Sequence, residues 1–197
     1  MRPYTDRMPV LGPGSPLPTR PFRVLVAGAS GSGKTTLAAR IAEVTGGPHT
    51  EIDSLFHGPG WTPRPTFVED VLAFTAAPAW TTEWQYGQVR PLLLERADLF
   101  VWLDLPKPRV AWQVSRRTVL RRLRRTHLWN GNIEPPLHAF LTDPQHVVRY
   151  ALTMYPKNRL MVMHAAQDRP DLPVVRLSSH AEARAWLAGP LASAVRA

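Results

Sequence analysis

The residues with the clearest chemical meaning form a run of eight that begins at Gly28. The run Gly-Ala-Ser-Gly-Ser-Gly-Lys-Thr at positions 28–35 fits the phosphate-binding pattern G-x-x-x-x-G-K-[ST]. Lys34 is expected to reach the β- and γ-phosphates of ATP, and Thr35 to hold Mg²⁺ through its hydroxyl. The predicted nucleotide-binding residues are Gly28, Ala29, Ser30, Gly31, Ser32, Gly33, Lys34, Thr35 and Thr36.

The segments on either side of this run support that interpretation. Residues 22–27 are short and rich in β-forming side chains, which predicts a buried strand. Residues 33–45 are typical of a helix, which Gly46-Gly47-Pro48 would end. A strand, a glycine-rich loop and a helix N-terminus together provide inward-turned N–H groups and partial positive charge for a phosphate.

Carboxylates follow several of the predicted strands. Asp53 ends a short predicted second strand near residues 50–52, and it is a candidate to orient or deprotonate an acceptor hydroxyl. Its alternative role is to cap a following helix. Glu51 would face the same side of that strand and share the task.

Two further acidic residues sit at predicted strand ends. Glu83 closes a third strand near 80–84 and is a candidate substrate ligand, with an ion pair to Arg90 as the alternative. Asp104 follows the apolar run 99–103, a predicted fourth strand, in the manner of a Walker B aspartate. We favour a structural role for it, because the acid on the metal side normally lies on the strand beside the glycine-rich loop.

The positive charge of the chain is concentrated in one region. The net charge is +9, and no acidic residue occurs between Leu105 and Ile133. Arg117, Arg121 and Arg125 follow one another at intervals of four, so a helix would place them on one face, over the phosphates. Arg117 and Arg121 are predicted catalytic residues and Arg125 a substrate ligand; the alternative is a solvated basic face.

The remaining pattern predicts an α/β domain. Strands alternate with helices, including a helix that begins at Asp143-Pro144 and breaks at Pro156, a fifth strand at 174–177, and a last helix that ends near Gly189-Pro190. This order is typical of a three-layer fold, a parallel β-sheet flanked by helices. In such sheets ligands bind beyond the carboxyl ends of the strands.

Composition sets the limits of the domain. Residues 1–21 hold six prolines and predict a disordered arm, residues 22–190 the folded domain with a basic lid near 107–133, and residues 191–197 a short tail. The chain has no cysteine, no run of signal-peptide character and no apolar stretch of membrane-spanning length, which favours a cytoplasmic protein without a membrane partner. The sequence does not predict an oligomeric state.

The chain resembles the adenylate-kinase-like P-loop proteins of the DNA topology modulation protein type. The resemblance covers about residues 22–188 and rests on the glycine-rich loop with its helix and on segments 52–56, 59–61, 95–98, 103–106 and 128–132. It implies a P-loop NTPase fold of nucleotide-kinase type with a basic lid over the phosphates. Relatives often carry Asp-Gly-Asn-Tyr after the third strand, where this chain has Glu83-Trp84-Gln85-Tyr86.

Two functions are compatible with these residues. The first is a small-molecule kinase that transfers the γ-phosphoryl of Mg·ATP to a nucleoside-like or nucleotide-like acceptor. The second is a nucleic-acid-associated NTPase or binding protein that uses the arginine-rich segment. We favour the kinase, because the acidic group Glu51, Asp53 and Glu83 suits a hydroxyl acceptor and would repel a nucleic-acid backbone.

Overall fold

A parallel four-stranded sheet forms the centre of the molecule. The computed structural model describes residues 10–124, 127–132 and 147–197. The strand order is β2-β1-β3-β4, with β1 at Arg23–Gly28, β2 at Trp80–Glu83, β3 at Leu99–Leu103 and β4 at Val174–Leu177. The helices are α1 (Lys34–Thr45), α2 (Ile52–Phe56), α3 (Phe67–Thr75), α4 (Arg90–Arg96), α5 (Lys107–Leu123), α6 (Val147–Asp168), α7 (His180–Trp186) and α8 (Ala192–Arg196).

Both faces of the sheet are covered, which confirms the predicted three-layer α/β class. Val24 and Val26 of β1 pack in one apolar cluster with side chains of α1 and α7, while Leu25 and Ala27 pack with those of α3, α4 and α6. A strand buried on both faces needs apolar side chains on both, which explains the continuous apolar run of β3. Across the described ranges, no helix has the length and apolar character to cross a bilayer.

The predicted strand at residues 50–52 is wrong. His49 makes a single parallel bridge to Thr81, and the chain then turns into helix α2 at Ile52. The buried Glu83 carboxylate accepts the N–H of Ile52 at 3.0 Å, so that donor is not available to a strand ladder. Asp53 therefore lies in the first turn of a helix, and Glu51 precedes that helix instead of sharing a strand face with Asp53.

Two predicted helix ends are also wrong. Helix α6 continues through Pro156, which lies at an exposed position of the helix. Near Gly189-Pro190 a π-helical turn at Leu187–Leu191 carries the chain into α8, so residues 192–196 of the predicted tail are helical. Leu187 and Leu191 are buried, and this packing outweighs the local preference of Gly-Pro to end a helix. The predicted helix start at Asp143-Pro144 lies outside the described residues.

The predicted disorder of residues 1–21 is wrong for the part that the structure describes, 10–21. The N–H of Leu11 donates to the carbonyl of Val174 at 2.8 Å, and the Leu11 carbonyl accepts the N–H of Arg176 at 2.9 Å. Leu11 and Leu17 also pack against the core. Proline-rich composition did not decide the outcome, because Leu11 pairs with the edge of β4 and both leucines pack against the core.

Deletion of residues 1–21 is consequently expected to destabilise the protein. Loss of the Leu11 and Leu17 packing should lower the free energy of unfolding by about 2 kcal/mol and the Tm by roughly 4–8 °C. Thermal melts of the full chain, of the 1–21 deletion and of a 1–9 deletion would test this. The shorter deletion is the control, since it keeps both leucines; equal Tm values for the two deletions would show that residues 10–21 contribute nothing.

Candidate functional site

A cleft of about 740 Å³ opens at the carboxyl ends of β1 and β2. The glycine-rich loop after β1 forms its floor, and residues 84–87 after β2 form one wall. Side chains of helices α5 and α6 also line it. Parallel strands bring their carboxyl ends to one edge, which is why segments distant in sequence meet at this cleft.

The glycine-rich loop has a backbone that side chains at its glycines would disturb. Gly31 and Gly33 have left-handed φ values of 81° and 97°. A Cβ on Gly31 would lie 2.6 Å from the Cβ of Val114, and one on Gly28 would lie 2.9 Å from the carbonyl oxygen of Leu103. Glycine at these positions therefore allows α5 and β3 to pack directly against the loop.

Two side chains of the loop and helix α1 fit an anionic group. The Lys34 side chain lines the cleft although the residue is only 8% exposed, and it makes no ion pair with any described residue. Burial lowers the pKa of Lys34, partly offset by Asp53 and Glu83. The buried Ser32 hydroxyl has no hydrogen-bond partner among the described residues. A phosphate chain would compensate the buried charge and engage the loop N–H groups.

The structure brings most of the predicted nucleotide-binding residues to the cleft. Ala29 and Ser32 are buried behind its surface. Those that line it are Gly28, Ser30, Gly31, Gly33, Lys34, Thr35 and Thr36. Thr35, the residue predicted to hold Mg²⁺, is among them.

Asp53 reaches the same cleft from α2 and is held by two donors. Gln85 Nε2 donates to Asp53 Oδ1 at 2.7 Å, and the Tyr86 hydroxyl donates to the same oxygen at 2.5 Å. Asp53 Oδ2 has no partner among the described residues, which leaves it available to a ligand hydroxyl. Burial raises the pKa of Tyr86, reinforced by the Asp53 charge, so this phenol stays a donor. Glu51 also lines the cleft.

The segment Trp129–Gly131 closes the cleft beside Asp53. The His57 ring stacks on Trp129 with centroids 5.6 Å apart, and it lies 3.2 Å from the Tyr86 hydroxyl. Asn130 donates to the His57 carbonyl, and Asn132 Nδ2 donates to the Gly58 carbonyl at 2.9 Å. Burial lowers the pKa of His57 despite the nearby Asp53, so the ring is mainly neutral at pH 7.

Glu83 does not face the cleft. Its side chain is fully buried and accepts the Ile52 N–H and a hydrogen bond from His49 Nε2 at 3.2 Å. Burial would raise the pKa of Glu83, but these two hydrogen bonds outweigh it and hold the pKa below its usual range. Glu83 therefore positions α2, and the ion pair with Arg90 considered from the sequence does not form.

Asp104 has the structural role that the sequence favoured. Arg176 and Arg159 lie 2.7 and 3.2 Å from its Oδ2, and the Asp104 side chain is almost completely buried. These contacts tie α6 to the end of β3. The cleft wall formed by α6 thus depends on Asp104 for its position.

The arginine-rich helix divides its charges between two faces. Arg117 and Arg121 line the cleft, as the four-residue spacing predicted. Arg109 and Arg116 instead flank the exposed Trp112, with their guanidinium carbons 5.8 and 5.6 Å from its ring. Arg125 lies outside the described residues.

Sequence reasoning missed two parts of the cleft. Arg90 at the start of α4 lines it, as do side chains of α6, namely Tyr150, Met154, Asn158 and Met161. The α6 residues recur at intervals of four, four and three, a helical pattern that the supposed break at Pro156 concealed.

The fold is that of the P-loop nucleotide kinases. A gluconokinase from Sinorhizobium meliloti 1021 superimposes with a TM-score of 0.53 at 20% identity over 90% of this chain and 95% of its own. A sugar kinase from Janibacter sp. HTCC2649 gives a TM-score of 0.39 at 22% identity over 91% of each chain. Neither bears on the DNA topology modulation type, so that finer resemblance stays a prediction.

The sequence comparisons add no relative. No protein-family model and no curated protein sequence matches this chain.

Proposed function

We propose that this protein is an ATP-dependent phosphotransferase that acts on a hydroxyl or phosphate of a small acceptor. One observation carries the proposal: the glycine-rich loop and the buried Lys34 share a cleft with Asp53, and among the described residues Lys34 has no ion pair and Asp53 Oδ2 no hydrogen-bond partner. The first feature suits a nucleotide phosphate chain, and the second suits an acceptor hydroxyl.

The side chains of the cleft divide into three tasks. Lys34 and the loop N–H groups bind the phosphates of ATP, and Thr35, which lines the same cleft, holds a Mg²⁺ ion that would neutralise phosphate charge. Arg117 and Arg121 provide cations for the charge that spreads over the transferred group. Asp53 orients the acceptor hydroxyl or accepts its proton, and Glu51 lies beside it as a further acceptor ligand.

A screen for ADP release from Mg·ATP tests the proposal. The acceptors are nucleosides, nucleoside monophosphates, small alcohols and sugars with their acids; the sugars are included because the superimposed neighbour is a gluconokinase. We expect at least one acceptor to raise ADP release well above the rate in its absence. If the protein binds ATP but no acceptor changes the rate of ADP release, its activity would be ATP hydrolysis and the proposed transfer would be wrong.

A nucleic-acid-associated function is the second candidate, and the exposed Arg109–Trp112–Arg116 face is the observation that favours it. Cations beside an exposed aromatic ring can bind a nucleic-acid backbone and stack on a base. The two candidates use different faces of α5, so single substitutions separate them.

Arg121→Ala is expected to lower phosphoryl-transfer turnover more than it weakens ATP binding, because Arg121 lines the cleft and its charge is most useful in the transition state. Turnover and calorimetric ATP affinity are measured on the same preparation. Arg116→Ala is the matched control, since this arginine lies on the outer face and should leave both values unchanged. Weaker binding of single-stranded DNA by either variant, with turnover intact, would favour the nucleic-acid function. In that case the slope of log affinity for DNA against log salt concentration should become shallower by about one in the same variant.

A further inference from the structure

The His57 ring is linked to Asp53 through the hydroxyl of Tyr86. This hydroxyl oxygen lies 2.5 Å from Asp53 Oδ1 and 3.2 Å from His57 Nε2. A tyrosine hydroxyl has one hydrogen to donate, and the carboxylate is both the nearer and the charged acceptor, so the hydrogen points to Asp53. His57 Nε2 must then carry a hydrogen itself and donate it to the Tyr86 oxygen. Two successive hydrogen bonds thus run from His57 to the carboxylate.

The other nitrogen of the His57 ring supports this tautomer. His57 Nδ1 is buried and has no hydrogen-bond partner among the described residues. An N–H group at that position would lack an acceptor there, so a neutral ring with its hydrogen on Nε2 is the less costly form. Burial also lowers the pKa of His57, although the Asp53 charge opposes this. The ring is therefore a neutral donor with a fixed direction.

Neighbouring aromatic rings and one amide hold both the ring and the backbone of His57. Trp129 stacks on the ring at a centroid distance of 5.6 Å, and Trp61 contacts it edge-on at 5.1 Å. Asn130 donates to the His57 carbonyl, which fixes the main chain as well. Because the ring is held on one face, at one edge and at its backbone, its Nε2 stays directed at Tyr86.

Three residues that contact His57 have an unusual backbone conformation. Tyr86, Trp61 and Asn130 have φ values of 58°, 61° and 53°, and they are the only non-glycine residues with positive φ in the described part of the chain. Asparagine tolerates this region, but a bulky aromatic residue adopts it at a cost. Such strain persists where the surroundings determine the conformation, and it clusters at functional sites. Its concentration around His57 indicates that this arrangement of side chains has a role beyond packing.

We propose that His57 is a positioning residue for Asp53 and acts through the Tyr86 hydroxyl. Its donated hydrogen bond keeps the Tyr86 hydroxyl directed at Asp53 Oδ1, which holds the carboxylate in place and leaves Oδ2 for the acceptor hydroxyl. A hydroxyl that accepts a hydrogen bond also donates a stronger one. His57 itself takes no proton from the acceptor. The inference rests on the proposed function for the reaction that Asp53 serves, but the hydrogen bonds can be measured without turnover.

The kcat of three variants, measured with the most active compound of the acceptor screen, tests whether His57 acts through Tyr86. His57→Phe keeps a ring that can stack on Trp129 and removes the donor, so it should lower kcat roughly 3- to 10-fold and leave the affinity for Mg·ATP within twofold. Tyr86→Phe should lower kcat at least as much, because it removes a donor to Asp53. The double variant should be no slower than Tyr86→Phe alone. His164→Phe, at an exposed position of α6, is the control for the substitution.

Two amide substitutions separate the hydrogen bond from the ring. The side-chain nitrogen of glutamine can occupy the position of histidine Nε2, and that of asparagine the position of Nδ1. His57→Gln should therefore retain most of the activity that His57→Phe loses, whereas His57→Asn should not. A role of the ring in packing alone predicts a different order, with the phenylalanine variant the most active of the three. A melting curve of each variant verifies that it is folded.

Nitrogen NMR of the histidine rings tests the hydrogen bond without any acceptor. In the full chain at pH 7 we expect a neutral His57 ring with its hydrogen on Nε2, and its signals are assigned by their loss in His57→Phe. Tyr86→Phe removes the oxygen that accepts this hydrogen, so it should shift the Nε2 signal and lessen the excess of this tautomer. The signals of the exposed His164 should stay unchanged.

Several results would overturn the inference. They are a His57→Phe variant as fast as the wild type, losses that multiply in the double variant, equal activity of the glutamine and asparagine variants, and a His57 ring with its hydrogen on Nδ1. Transfer to an acceptor together with the Nδ1 tautomer would refute the role of His57 while supporting the kinase. An Nε2 tautomer that depends on Tyr86, in a protein that transfers phosphate to no acceptor, would support the positioning of Asp53 and refute the kinase.

Discussion

Replacement of Lys34 by methionine is expected to abolish ATP-dependent phosphoryl transfer while the protein remains folded. The loss should be at least about 10²–10³-fold in turnover, the usual cost of removing one preorganised charge from a developing anion. The free energy of unfolding should stay the same or rise, because Lys34 is buried without an ion pair among the described residues. The measurements are ADP release, calorimetric affinity for Mg·ATP, and a melting curve.

Arg40→Met is the matched control for this experiment, since Arg40 is an exposed position of the same helix α1. It should leave activity and ATP affinity unchanged. A folded Lys34→Met variant that binds Mg·ATP with unchanged affinity would show that the glycine-rich loop is not a nucleotide site.

Asp53→Asn is expected to reduce phosphoryl transfer by about 10²–10⁴-fold with little change in ATP affinity. The amide oxygen of asparagine can still accept the Gln85 and Tyr86 hydrogen bonds, so the local structure should persist. The open Oδ2 is replaced by an amide nitrogen that cannot take a proton. Turnover on the identified acceptor is compared with calorimetric ATP affinity.

Tyr86→Phe separates the charge of Asp53 from its orientation. It removes one donor to Asp53 Oδ1 and leaves the carboxylate, so its loss of turnover should be smaller than that of Asp53→Asn. Turnover of Asp53→Asn within twofold of the wild type would limit Asp53 to a structural role, that of holding Gln85 and Tyr86.

The parts of the fold that sequence patterns predicted are those determined by neighbouring residues. Strand β1, the glycine-rich loop and α1 form one contiguous signal, and β3 shows its burial in an unbroken apolar run. The predicted strand at 50–52 failed because Glu83, far along the chain, takes the Ile52 N–H. A local pattern contains no information about such a distant acceptor.

The site shows the same division. Asp53 was predicted to face the phosphate loop and does line the cleft, although from a helix. No sequence pattern predicted that Arg90 lines the cleft, because its side chain is positioned by Trp84 and by Met161 on a helix distant in sequence. The predicted break at Pro156 was wrong because tertiary contacts hold α6 on both sides of the proline. Before it, the Tyr155 hydroxyl donates to the Leu105 carbonyl, and after it Arg159 pairs with Asp104.

Each of the two outer strands of the sheet has backbone hydrogen-bond partners on part of its outer edge. The backbone of Leu11 hydrogen-bonds to Val174 and Arg176 of β4. On the other side of the sheet, the Thr50 N–H donates to the carbonyl of Thr81 in β2 at 2.9 Å. A bare strand edge is a template on which further chains add and aggregate. A chain that lacks residues 10–21 would be expected to self-associate at high concentration, even under conditions where its sheet remains folded.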